Sequence, residues 1–305
     1  MMYDLVIIGG GVAGLGAAIY AGRFQMKTAV VAEKMGGTIV LTNDIANYPG
    51  FRQISGMDLA EKIKRHVQDY DVELVEKRVT AVEKCRGGFR VSAGKGDMLS
   101  KTVIFATGTE WRKLGVPGED EFTGRGVHYC GLCDGPFYKD KVIAVVGGSD
   151  SAAKEAILLS EYASKVYIIY RKGKIRAEPI NYQRVIASKK IEIVPDTNVT
   201  EIRGDRFVRM VMLDRPYKGS MEFKLDGVFV EIGHVPLSGM AKVLGVKVNR
   251  KGEIVINRTG ETSLAGVYAA GDVADNRFKQ AITGVAEGVS AAYSAYQYIG
   301  NDLDT

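Results

Sequence analysis

Two cysteines with two residues between them and followed at once by an acid, Cys130-Gly-Leu-Cys133-Asp134, are the residues of this 305-residue chain that point most directly to chemistry. Thiols three positions apart on a tight turn come within bonding distance, so the pair suits a reversible disulphide. The carboxyl group beside the second thiol can exchange protons with the dithiol as the bond opens. The remaining cysteine, Cys85, and the histidines His66, His128 and His234 show no ligand spacing that would complete a zinc site. No small thioredoxin-type unit surrounds the pair either, so a redox-active disulphide is the reading and no resident metal is expected. Cys85 reads as an ordinary packed thiol, and His128, just ahead of the pair, as a structural residue, with tuning of the pair the alternative.

Two glycine turns supply the second kind of chemistry. Gly9-x-Gly11-x-x-Gly14 follows the apolar run Leu5-Val-Ile-Ile8 and opens a small-residue segment, Val12 to Phe24. In that setting the first glycine makes the tight turn, the second lets the backbone approach a pyrophosphate, and the third packs helix on strand. Glu33 follows the next apolar run, Thr28 to Ala32, where an acid can accept from ribose hydroxyls. The second turn, Gly147-Gly148-Ser149-Asp150-Ser151-Ala152, fits the same pattern except that Ser149 adds a side chain at the middle position. Arg171, Lys172 and Arg176 stand beyond the following strand. Cations there suit a 2′-phosphate, whereas a free 2′-hydroxyl would want an acid, so the cluster favours NADPH over NADH. The plainer reading of the cluster is a solvated basic loop.

These residues need positioning elements, and the hydrophobic pattern supplies them twice. Strand, glycine turn, helix and strand recur as Leu5–Ile8 to Thr28–Ala32 and as Val142–Val146, Ser151–Ala163 and Val166–Tyr170. Leu59, Ile63, Val67 and Tyr70 predict an amphipathic helix over Asp58–Tyr70. Residues Glu73 to Phe105 read as a β-meander, Gly266–Ala270 as a strand, and Gln280 to Ile299 as a closing helix. The predicted class is α/β, with two Rossmann-like dinucleotide-binding domains, the second inserted into the first. Gly115-Val-Pro-Gly118 and Gly233-His-Val-Pro236 carry the linker signals, giving residues 1–114 and 241–305 to one domain and 115–240 to the other.

Composition agrees and excludes other classes. Apolar residues are 46% and charged residues 25%, as in a globular chain with a substantial core. The 37 glycines exceed the usual share of about 7% without periodicity, which indicates many tight turns. The net charge of +5 is spread without a basic block, so neither nucleic acid nor a membrane is an expected partner. Met1-Met2-Tyr3-Asp4 lacks the positive region of a signal peptide, and the expected location is the cytoplasm.

Taken in order along nearly the whole chain, these segments resemble the low-molecular-weight thioredoxin reductases. The resemblance is carried by Gly9-Gly-Gly-Val-Ala-Gly14, Gly36-Gly37, Asn47-Tyr-Pro-Gly50, Ala106-Thr-Gly108 and Cys130-Gly-Leu-Cys-Asp-Gly135. It continues through Gly147-Gly-Ser-Asp-Ser-Ala152, Tyr170-Arg-Lys-Gly-Lys-Ile-Arg176, Ala270-Gly-Asp272 and Lys279-Gln-Ala281. The resemblance implies FAD in the discontinuous domain and NADPH in the inserted one. It implies that Gly36, Gly37, Thr38, Asn47, Thr107 and Gly108 lie along the FAD. By the same resemblance Asp272 binds its ribityl-phosphate region, and Lys279, Gln280 and Ala281 lie by the flavin ring. Cys133 would be the flavin-proximal sulphur, Cys130 the thiol that attacks thioredoxin or a thioredoxin-like protein, and Asp134 the acid. A homodimer and a rotation of the inserted domain are implied as well. Thr38, Lys279, Tyr170 and Lys172 stand where the family commonly has glutamine, arginine, histidine and arginine. Lys172 keeps the charge of an arginine without its bidentate fork. Two alternatives stay open: the same disulphide chemistry with ferredoxin as donor or another acceptor, and a flavin-bound redox sensor.

Overall fold

The computed structural model describes residues 2–42, 45–94 and 96–301. The chain divides into two compact units, 1–110 with 235–305, and 111–234. The first crossing precedes the expected Gly/Pro segment because that segment belongs to the second unit. A side chain at Gly118 would overlap the carbonyl of Ile202, and Pro117 O accepts from Ile202 N. The second crossing falls inside Gly233–Pro236.

In the first unit β1 (Met2–Ile8) leads through the glycine turn into α1 (Val12–Arg23), and β2 (Thr28–Ala32) returns parallel to β1. Helix α2 (Gly56–Val67) starts at Ser55, whose hydroxyl accepts from Asp58 N at 3.0 Å. It leads to β3 (Val72–Glu76), which pairs parallel to β2. Only β4 (Val79–Cys85), β5 (Gly88–Ala93) and β6 (Gly96–Phe105) form the antiparallel meander. The expected meander was therefore one strand too long. A helical crossover such as α2 forces a parallel return, so the strand beginning near Glu73 closes a second βαβ step.

The chain crosses over in β7 (Thr109–Trp111) and builds α3 (Glu119–Phe122), β8 (Val127–His128) and the one-turn α4 (Gly131–Asp134). A second parallel sheet follows, from β9 (Val142–Gly147), α5 (Asp150–Ser160), β10 (Lys165–Ile169), α6 (Pro179–Ala187) and β11 (Ile191–Val194). The ribbon β12 (Val199–Gly204), β13 (Val208–Tyr217) and β14 (Ser220–Lys224) is antiparallel. Strand β15 (Gly227–Glu231) then inserts between β9 and β8, giving the order β11-β10-β9-β15-β8. The chain returns in β16 (His234–Pro236), which pairs with β7. Helix α7 (Gly239–Val243), β17 (Val267–Ala269) and α8 (Ala281–Asn301) complete the first unit.

Strand β17 pairs parallel to β6, and α8 packs on α1 so closely that a side chain at Gly288 would overlap the carbonyl of Ala13. The parallel strands at the centre of both sheets are buried on their two faces, which is why Leu5, Ile7, Ile143 and Ile168 are fully inaccessible. In each sheet the first strand lies between strands that run to opposite sides, β2 and β6 about β1, and β10 and β15 about β9. The carboxyl end of such a strand opens the crevice where dinucleotides bind in this class. Among the described residues no helix is long and apolar enough to cross a membrane.

Candidate functional site

The first crevice is built from backbone. Gly9 has φ +117°, and a side chain there would overlap Ala106 O, so only glycine fits. Gly14 abuts Gly9 O in the same way. Above Gly11 the nearest atom to an added Cβ is Gly37 Cα at 3.9 Å, which leaves open space over the helix start. No side chain caps α1 and no acid lies in its first turn. Its first N–H groups thus present an electropositive cradle suited to a pyrophosphate. Gly36 N donates to Gly10 O at 2.8 Å, laying Gly36 and Gly37 beside the turn. Thr38 follows in the short 3-10 helix Gly37–Leu41 and is exposed. Glu33, exposed beyond β2, reaches Arg78 at 4.0 Å.

The remaining first-unit residues are held on the same sheet edge or by α8. Thr107 Oγ1 donates to Leu237 O at 2.8 Å, and Gly108 O accepts from Leu237 N. Asn47 Nδ2 donates to Gln280 Oε1 at 2.9 Å, joining residues 233 positions apart just ahead of Ala281 and α8. Asp272 lies in the 3-10 turn Gly271–Val273. That loop is braced by Glu287, which accepts from Gly271 N at 2.8 Å and from Asn276 at 2.6 Å. Lys279 gives its ammonium to Asp272 O, Ala274 O and Glu253, at 2.6, 2.8 and 2.9 Å. Its three protons are thus engaged by the protein, so Lys279 shapes the Asp272 loop rather than offering a free charge.

The second crevice repeats the first with one substitution. Gly147, at φ +154°, meets the carbonyl of Glu231, and Gly148 lies flat against the buried ring of Tyr170. Ser149 adopts φ −85° and ψ −179°, close to the −74° and 180° of Gly11. The serine therefore keeps the backbone of the turn, and its hydroxyl lies 3.4 Å from that of Ser151. Asp150 faces away, accepting from Glu178 N, Asn181 and Lys154 at 2.8, 2.9 and 2.7 Å. Burial would raise its pKa, but these partners hold it below the usual range. Ala152 is fully buried against the sheet. Arg176 N donates to Gly148 O at 2.7 Å, which brings the basic segment back over the turn. Arg171, Lys172 and Arg176 are exposed, and among the described residues none of them forms an ion pair.

Cys130 and Cys133 are joined as a disulphide across a Cα–Cα distance of 5.4 Å. Cys130 is the N-cap of α4, its sulphur accepting from Cys133 N at 3.2 Å. Asp134, the last residue of that turn, places Oδ2 3.0 Å from His128 Nδ1, and His128 Nε2 lies 2.7 Å from the Tyr138 hydroxyl. His128, expected to be structural or to tune the pair from just ahead of it, is hydrogen-bonded to the acid of the motif. Glu155 of α5 accepts from Gly131 N inside the same turn. Burial pushes Glu155 up to about 7, with the Asp134 charge adding to it and the Gly131 bond opposing. Behind it, Glu231 at the end of β15 is pushed up to about 8 by burial and by Glu155. Neither glutamate was singled out from the sequence. Glu231 did carry a signal, as the one charge closing the all-apolar run Val228-Phe-Val230.

Both glutamates hold protons in the fold that they release near pH 4.5 when unfolded, so ionising them opposes folding. Stability is expected to fall as pH rises from 4.5 through 7 and 8. The slope is at most about 1.4 kcal/mol per pH unit for each group. Glu231→Gln removes one of these titrations and should flatten the fall, measured as the urea midpoint across that range. An unchanged slope would show that Glu231 does not carry the proton.

The sequence model of the pyridine nucleotide-disulphide oxidoreductases matches residues 3–288. The chain is 38% identical over 301 residues to a thioredoxin reductase of Bacillus subtilis, covering 98% of this chain and 95% of that protein. It is similar to the crystal structure of a Lactococcus lactis thioredoxin reductase, with a TM-score of 0.94, 35% identity and coverage of 98% and 99%. A ferredoxin-flavin thioredoxin reductase of Clostridium acetobutylicum matches at a TM-score of 0.53 and 33% identity, covering 98% of this chain and 99% of that one.

Proposed function

The chain belongs to the pyridine nucleotide-disulphide oxidoreductases, and on that premise we propose that it is a thioredoxin-disulphide reductase. NADPH would be the electron donor and FAD the relay, and the Cys130–Cys133 pair would reduce thioredoxin or a thioredoxin-like protein. The observation that carries this reading is the disulphide closed across a helix N-cap, with Asp134 held in the same turn. Bound FAD supplies the two-electron relay that no side chain provides.

The chain's own residues do the rest. The Gly9–Gly14 turn and the start of α1 hold the FAD pyrophosphate, Glu33 the adenosine ribose, and Asp272 the ribityl-phosphate region. Gln280 and Ala281, at the start of α8, would lie by the flavin ring. Gly147 to Ala152 hold the pyrophosphate of NADPH, whose 2′-phosphate meets Arg171, Lys172 and Arg176. Cys133 receives the electrons, Cys130 attacks the disulphide of the protein substrate, and Asp134 carries the proton between sulphurs. A homodimer is supported by the exposed aromatics Tyr20, Tyr293 and Tyr296 around Phe24, whose ring stacks on Tyr296 at 4.8 Å.

The test is anaerobic titration of the yellow protein with NADPH, NADH and reduced ferredoxin in turn, followed by oxidised thioredoxin. NADPH should bleach the flavin and thioredoxin should restore it. A correctly folded protein that takes up no FAD would overturn the reading. Ferredoxin as donor is the second reading, favoured by the Clostridium acetobutylicum relative and by Ser149 in the nicotinamide turn. It takes over if ferredoxin alone bleaches the flavin. Charge-assisted contacts are worth about 1.5–3 kcal/mol each. Replacing Arg171 and Arg176 together with alanine should therefore weaken NADPH by about a hundredfold or more and leave NADH nearly unchanged. Equal losses for both nucleotides in flavin-reduction titrations would show that the cluster does not read the phosphate.

A further inference from the structure

We infer that His128 is a positioning residue for Asp134. Its Nδ1–H holds carboxylate oxygen Oδ2 and leaves Oδ1 as the atom that exchanges protons with the thiols, while the Tyr138 hydroxyl fixes the imidazole tautomer. The inference rests on the reading of Asp134 as the acid of disulphide exchange.

The geometry allows one arrangement for an ionised carboxylate. Oδ2 at 3.0 Å from Nδ1 needs a proton between them, so Nδ1 carries the ring hydrogen. Nε2 then has only a lone pair to offer, and the Tyr138 hydroxyl at 2.7 Å donates to it. The ring cannot swing away. Register on β8 sets His128 opposite Phe229, whose ring stacks on it at 5.2 Å and 28°, and Tyr138 meets it edge-on at 5.3 Å. Burial lowers the His128 pKa, opposed only in part by Asp134, which favours the neutral ring with a single N–H. Tyr138 is pushed up to about 12 by burial, with Asp134 and Asp226 adding to it, and remains a donor. The other titratable groups facing the cluster are Glu155, bonded to Gly131 N, and Glu231 behind it. A charged imidazole is therefore not needed for the bond, which persists whether Oδ1 is bare or protonated.

In the exchange, the Cys130 thiol gives its proton to Oδ1 and the thiolate attacks the partner disulphide. A new sulphur–sulphur bond forms, the old one breaks, and the departing sulphur takes the proton from Oδ1. Oδ2 accepts from Nδ1 throughout. The proton matters most when the departing thiol is basic.

The experiment compares two probes on the reduced holoenzyme: bis(hydroxyethyl) disulphide, with a basic leaving thiol, and dipyridyl disulphide, with an acidic one. His128→Phe keeps the stack on Phe229 and removes the donor. It should slow the first probe about tenfold and leave the second within about twofold. Nitrogen NMR of the unsubstituted protein should show His128 protonated at Nδ1 and bare at Nε2 above about pH 7. Equal slowing of both probes, or a proton on Nε2, overturns the inference. Asp134→Asn is the control. If it shows no dependence on the leaving group, the reading of Asp134 as the acid fails instead, and the inference falls with it for that separate reason.

Discussion

Cys130→Ser abolishes turnover with a protein disulphide, with a loss of more than about a thousandfold, while the fold and the flavin colour persist. The serine hydroxyl can still accept from Cys133 N, as the Cys130 sulphur does at 3.2 Å, so the N-cap of α4 survives. What disappears is the thiolate, and an unactivated hydroxyl does not attack a disulphide at neutral pH. Cys133 is left as a free thiol, so Cys130→Ser should show an altered flavin absorption that Cys133→Ser lacks. Steady-state reduction of oxidised thioredoxin and the visible spectrum together check this. Full activity in either single serine variant would remove the dithiol relay from the mechanism.

Gly14→Ala produces a colourless and destabilised protein. The added methyl would overlap Gly9 O, and Gly9 itself sits where even a Cβ would overlap Ala106 O, which leaves it little room to retreat. Overpacking of this kind costs about 1–3 kcal/mol when the surroundings can shift, and here backbone meets backbone on both sides. Gly11→Ala is the informative contrast. Its methyl would find nothing nearer than Gly37 Cα at 3.9 Å, so the fold should keep its melting temperature. It should nevertheless lose FAD, because the methyl fills the space above the first turn of α1. Absorbance near the flavin band and thermal melting of the two variants separate the roles. A Gly11→Ala protein that binds FAD fully would show that the pyrophosphate lies elsewhere.

Both predictions concern residues visible in the sequence, because local spacing alone specifies a CxxC turn or a glycine turn between strand and helix. The two parallel sheets and the fold class were legible for the same reason. Strand β3 was misassigned because its partner, β2, is set by the α2 crossover and not by any turn beside Glu73. Ser149 keeps the extended backbone of Gly11, a match that its residue type alone does not reveal. Lys279 is a second such case. Its position in a recognisable motif did not reveal that two carbonyls and Glu253 engage its charge. His128, Glu155 and Glu231 converge on the disulphide turn from three separate elements, β8, α5 and β15. His128 stands two residues before Cys130, but no spacing rule joins Glu155 or Glu231 to the turn, which only the fold brings to it.

The discontinuity of the first unit has a consequence for synthesis on the ribosome. Residues 111–234 form a continuous unit whose strands all lie within one stretch of chain. It can close as soon as β15 emerges. The first unit cannot, because β17 must still pair with β6 and α8 must still cover α1, whose partners were made some 160 to 270 residues earlier. Until then the apolar face of α1, with Leu15, Ala17 and Ala18 bound for the core, has no permanent cover. The later-made unit is thus the first to be finished. The N-terminal half waits with exposed core for the last helix, and in that interval it is most open to chaperones, proteases and misassembly.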